Sequence, residues 1–192
     1  MPSEGGRMPT TLDAKREIKM RENRVPIQIA GNPHAPVGAL GPPTKTANEK
    51  QTSKLAVQIL LGLNTGFHQP TREERDALLV GFAMRQKVLY RAAFDLVRVV
   101  GKIELTQPTI IASNFDLITA YEIKSTNKAA TKSGFGGYFF DLTTAELLVA
   151  QSLGDRYRFA FVNTISHEWI DLALSDVIIK TKKIYPKWAI SF

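Results

Sequence analysis

Three residues in the window NFDLITAYEIKST (114–126), namely Asp116, Glu122 and Lys124, have the types and spacing that phosphoryl chemistry uses. Glu122 and Lys124 stand two apart, so on an extended strand they share one face. A hairpin folded across Thr119-Ala120, pairing Phe115–Ile118 with Tyr121–Lys124, sets Leu117 opposite Glu122 and Asp116 opposite Ile123. Asp116 then lies diagonal to Glu122 and Lys124, and a twist or bulge of the hairpin is what would bring the three side chains together. This arrangement supplies two hard oxygen ligands and an amine. Two carboxylates and the backbone carbonyl of Ile123 suit Mg²⁺, which takes oxygen ligands and keeps waters. A cation there lowers the pKa of a bound water and stabilises charge on a phosphate oxygen. Lys124, desolvated beside it, positions that water or neutralises developing negative charge. If the hairpin is not tight, Glu104 is the reserve for the first acid, and Asp116 a turn residue.

The elements that must hold these residues follow from local pattern. Lys54–Leu63 is apolar and suits a helix. Thr71-Arg72-Glu73-Glu74 is a capping box, and apolar residues recur at helical spacing from Ala77 to Val97, predicting one long helix up to Gly101. Strand-forming stretches follow at 102–105, 109–112, 115–119 and 121–126. Thr143-Thr144-Ala145-Glu146 opens a helix to about Leu153, and RYRFAFVN (156–163) alternates as a half-buried strand. A helix near 168–175 and a final strand complete the chain. Helices, a strand meander, a helical crossover and a further strand make an α/β sandwich on a small mixed sheet.

Asp116 followed by Glu122-Ile123-Lys124, then a Thr-capped helix and a strand, resembles the PD-(D/E)xK nuclease superfamily, and within it the type II restriction endonucleases. The resemblance spans about residues 100–165. It implies a restriction-endonuclease-like core, a small mixed β-sheet flanked by helices, preceded by an N-terminal extended arm. It also implies Mg²⁺-dependent hydrolysis of phosphodiester bonds in double-stranded DNA, with Asp116, Glu122 and Lys124 catalytic and Asp116, Glu122 and Ile123 holding the metal. Such enzymes act as homodimers, with the helix 72–100 as the candidate dimer surface. The interval from Asp116 to Glu122 is shorter than the ten or more residues usual in that superfamily. The alternatives are a structure-specific repair nuclease of the same fold, a DNA-binding protein that has lost the chemistry, and an assembly subunit.

Lys128 and Lys132, in a Gly-rich loop, and Gln151 and Arg156, at the end of the following helix, are candidate DNA contacts. Composition agrees with a polyanionic partner: 25 Lys+Arg against 18 Asp+Glu give +7. Residues 1–54 hold nine basic and five acidic residues, seven of the ten prolines and no aromatic residue, so they read as an extended arm beside a domain at 55–192. Within the arm, Asp13–Arg24 suits a short charged helix. The chain has no cysteine, which excludes disulfides, iron–sulfur clusters and thiol catalysis and fits a cytoplasmic setting. No apolar run reaches the length of a membrane span. His34, His68 and His167 lack metal-ligand spacing, and neither a P-loop nor a serine-hydrolase elbow is present.

Overall fold

A computed structural model describes residues 47–129 and 131–185; residues 1–46 of the expected arm (1–54) and the last seven residues lie outside the described part, and residues 47–54 belong to a helix. Helix α1, Ala47–Gly62, turns Ala56, Val57 and Leu60 inward as a single apolar stripe. After the two-residue strand β1, Phe67–His68, Pro70 and the Thr71 capping box start α2, Arg72–Met84, whose buried positions are Ala77, Leu78, Gly81 and Phe82. Strand β2 is Leu96–Val99, α3 is Pro108–Ser113, and β3 is Ile118–Thr126. Helix α4, Thr144–Leu153, leads to β4, Tyr157–Asn163, then β5, Trp169–Leu172, and α5, Leu174–Lys180.

The five strands lie in one sheet in chain order. β1, β2 and β3 form an antiparallel meander, β3 and β4 run parallel with α4 as the crossover, and β4 and β5 are antiparallel. The fold is therefore α/β, a small mixed sheet with helices on both faces. Alternate residues of β3 and β4 serve opposite faces. Tyr121, Ile123, Ala160 and Val162 pack under α1, while Ile118, Ala120, Tyr157, Phe159 and Phe161 join the core built with α2, α3 and α4.

Several expectations are corrected. The predicted helix 72–100 ends at Met84: Arg85 caps it, and Gln86 adopts a left-handed φ of 56°. Leu96 and Val97 belong to an inner strand covered on both faces, so consecutive apolar residues there imitate a helical repeat. The long helix offered as a dimer surface therefore does not exist. Residues 109–112 are helical, started by Pro108 in the first turn, and no strand forms at 102–105. The hairpin across Thr119-Ala120 is absent. Neither residue readily takes the positive φ that two-residue hairpin turns require, and both run straight through a nine-residue strand paired to β2 at Arg98↔Thr119 and Val97↔Ala120. At the C-terminal end, residues 169–172 are the strand β5, and the helix begins only at Leu174.

Candidate active site

β3 is the middle strand, and its two neighbours release it at different points. The ladder to β2 ends at the rung Leu96↔Tyr121. The next N–H on that side belongs to Ile123, and it donates to the Asp95 carboxylate (Oδ2) at 2.9 Å. The Asp95 N–H in turn donates to the Tyr121 carbonyl at 2.8 Å. Asp95 thus stands where β2 parts from β3, its side chain completing the rung that the backbone no longer makes. The Ile123 carbonyl lies on the same side as its N–H, beyond the last paired residue of β2.

The irregular backbone leading into β2 is held by side chains from other elements. The Tyr157 hydroxyl donates to the Ala93 carbonyl at 2.5 Å. The Arg75 guanidinium donates to the carbonyls of Phe94 at 2.8 Å and Asp95 at 2.9 Å, and stacks 4.6 Å over the Phe94 ring. Three consecutive carbonyls are therefore satisfied, which fixes Asp95 without regular structure.

Glu122 and Lys124 point to the face shared with α2 and α4, opposite Phe159 and Phe161 in the parallel register. The Lys124 ammonium (Nζ) lies 3.2 Å from Glu122 Oε1 and 2.7 Å from Glu146 Oε2. All three side chains are buried, with 10%, 8% and 5% of their surface exposed. Glu146 is the third residue of α4, and its Oε2 also accepts the Thr143 N–H at 3.2 Å, closing the expected capping box. Burial, and then the negative charge of Asp95, push the Glu122 carboxyl well above the usual carboxylate range. For Lys124, burial disfavours the charged form, but the Glu122 and Glu146 carboxylates outweigh it and hold the ammonium above its ordinary pKa.

Of the sequence-predicted residues, Glu122 and Lys124 share one face of β3, Ile123 turns its side chain to the other face under α1, and Asp116 does not join them. Asp116 lies in a 3₁₀ turn, Phe115–Leu117, ahead of β3. Four residues of extended strand, roughly 13 Å, separate Ile118 from Glu122. The Asp116 side chain is 77% exposed and faces Arg156 at 3.9 Å. Glu104 is also exposed and accepts from the N–H and hydroxyl of Thr106, bonds that hold its carboxyl below the usual range. It lines an open cavity of about 520 Å³ together with His68 and Glu74. The acid beside Glu122 is Asp95, an interval of 27 residues. It falls inside the apparent long helix; its signal is an acid placed directly before the Val-containing stretch LVRV. Glu146 reads from sequence as a cap, yet it precedes the buried Val149, Ala150 and Leu153 on the apolar stripe of α4 and is itself buried.

Lys128 and Lys132 are exposed in the loop after β3. That loop is anchored by aromatic side chains: the Tyr138 hydroxyl donates to the Ser125 carbonyl at 2.6 Å, and Phe140 packs edge-on against Phe161 at 4.9 Å. Gln151 is exposed near the C-terminal end of α4, and Arg156 is engaged with Asp116.

The donor set can be tested against Mg²⁺. Glu122 and Glu146 bring two carboxylates to the Lys124 ammonium, Asp95 adds a third negative charge near Glu122, and the Arg75 guanidinium interacts favourably with Asp95 and Glu122. Among the described residues no three acidic or histidine side chains close into a cage. The oxygens that would have to hold a cation are those of Asp95, whose charge acts on Glu122, of Glu122 itself and of the Ile123 carbonyl, with water or phosphate oxygens in the other positions, as Mg²⁺ prefers. Among the described residues no helix is long and apolar enough to cross a membrane. The chain matches no family model, no curated protein and no solved structure.

Proposed function

We propose that the chain is a Mg²⁺-dependent DNA endonuclease with a restriction-endonuclease-like core, hydrolysing phosphodiester bonds in double-stranded DNA. The observation that carries this reading is the buried Glu122–Lys124 pair on β3, flanked by the Asp95 carboxylate at the point where the β2 ladder stops. Burying that much charge is costly in desolvation, and its retention on a central strand supports a role in function. A bound Mg²⁺ supplies positive charge at the phosphate and acidifies a water. Asp95, Glu122 and the Ile123 carbonyl supply its oxygen ligands. Lys124 orients the attacking water or offsets charge that grows on the non-bridging phosphate oxygens as the 3′ oxygen leaves. One such site cuts one strand, so a double-strand break calls for two copies of the chain, hence a homodimer. The net charge of +7 suits the substrate.

The test is incubation of the purified full chain with supercoiled plasmid in Mg²⁺, Mn²⁺ or EDTA. Conversion to nicked and linear DNA only with a divalent cation, abolished in Lys124→Ala, supports the reading. Discrete fragments would indicate a sequence-specific enzyme, and a smear a non-specific or structure-directed one. DNA retarded in a gel but never cut, with either cation, would overturn the enzyme and leave a DNA-binding protein.

A further inference from the structure

Glu146 is a charged residue where the helix cap alone needs no charge. A capping box is completed equally well by glutamine, whose side-chain oxygen accepts the same N–H. A capping carboxylate usually sits in water, but Glu146 is 4% exposed, on the buried stripe of α4 between Thr143 and Val149. Desolvating a carboxylate is costly without a charged partner, and that partner is Lys124 at 2.7 Å, closer than the 3.2 Å from Lys124 to Glu122. The ammonium is thus shared between a motif residue on β3 and a helix residue outside the motif.

The sharing matters because Glu122 has two demands on it. Resting on the nuclease reading above, a cation bound to Glu122 and Asp95 draws the Glu122 oxygens away from Lys124. An ammonium with one partner withdrawn and little solvent nearby either follows Glu122, competing with the cation, or leaves the site. Glu146 offers it a fixed second seat, since Oε2 is tied to the Thr143 backbone at the start of α4.

We propose that Glu146 is a positioning residue: it retains the Lys124 ammonium beside the reacting phosphate when Glu122 turns to the cation, and so sets both cation affinity and turnover. Glu146→Gln keeps the size and the capping oxygen but removes the charge. Its thermal midpoint is expected within a few degrees of wild type. Its affinity for Mn²⁺, measured without DNA from the free-ion electron paramagnetic resonance signal, is expected to fall roughly tenfold, because Lys124 then leans on Glu122 alone. Its kcat for plasmid cleavage is expected to fall about 10²-fold with KM little changed, the pattern of a group needed in the transition state. Thr143→Ala is the structural comparison: it loses a cap bond and some thermal stability, yet retains Mn²⁺ affinity and kcat. Should Glu146→Gln fold poorly, Glu146→Asp keeps the charge and is expected to recover Mn²⁺ binding but only part of kcat. Glu146→Gln behaving as wild type in both Mn²⁺ affinity and kcat overturns the inference alone. So does Thr143→Ala reproducing both losses. A wild-type chain that neither binds Mn²⁺ nor cuts DNA overturns the nuclease reading, and this inference with it.

Discussion

At the scale of single residues, the identity of the first acid makes the sharpest forecast. Asp95→Asn keeps an oxygen able to accept the Ile123 N–H, so the fold should survive, while the ligand charge is gone. Metal-dependent cleavage is expected to fall roughly 10²-fold or more. Asp116→Asn, altering an exposed side chain in a 3₁₀ turn, is expected to cut normally, and parallel plasmid assays of the two variants decide between them. The buried pair also predicts how stability follows pH. Glu122 has its carboxyl pKa raised on folding, chiefly by burial, so its contribution is complete below the unfolded value of about 4.3 and is lost as pH rises through the raised one. Lys124, also raised, contributes fully below its unfolded pKa of about 10.4 and loses that contribution only above it. Urea denaturation should therefore show stability declining across the neutral range in the absence of divalent cation. In Glu122→Gln that decline should flatten, and an unchanged slope would place its origin elsewhere.

At the scale of elements, α2 and α3 meet through Gly81. A Cβ there would stand 2.6 Å from Ile111 Cγ2 and 2.9 Å from the Pro108 carbonyl. Alanine improves helix propensity by about 1 kcal/mol, but overpacking of this kind costs about 1–3 kcal/mol. Gly81→Ala is expected to be net destabilising in chemical denaturation, since one of the clashing atoms is backbone and cannot rotate away. Which elements were legible follows the same physics. The capping boxes at Thr71 and Thr143 are local signals, and each appears where the sequence puts it, whereas RYRFAFVN forms its strand but is buried on both faces rather than half-buried, because α1 covers Ala160 and Val162. The extent of α2 and the course of β3 are decided by neighbours distant in sequence. Val97 is packed on the α2 side and Leu96 under α1, a two-sided burial that no window of residues reveals. The site divides in the same way. Glu122 and Lys124 share a strand and could be paired by counting in twos, whereas Asp95 and Glu146 reach them only through sheet pairing and a crossover helix.

At the scale of the whole molecule, the described residues close a core on each face of the sheet using only side chains from Ala56 onward. Deleting residues 1–43 is accordingly expected to leave cooperative unfolding and the thermal midpoint nearly unchanged, as circular dichroism can check. The same deletion tests whether the basic arm touches DNA. Each lost phosphate contact should flatten the dependence of log affinity on log salt by about 0.9, and an unchanged slope assigns the contacts to the folded domain.

Phe67, in the first strand, and Trp169, in the last, meet edge to face with ring centroids 5.8 Å apart, although three strands lie between them. The two rings are 102 positions apart in the chain. Their contact carries a kinetic consequence: a loop of that length must close before they touch, and contacts so distant in sequence form slowly. On the ribosome, the meander β1–β3 would wait for β5 before this apolar seam is covered. In refolding, with Trp188 replaced by Phe, the Trp169 emission should report the slowest phase and lag behind the helical signal at 222 nm. A tryptophan signal that keeps pace with helix formation would mean instead that the two edges find each other early, before the strands between them are laid down.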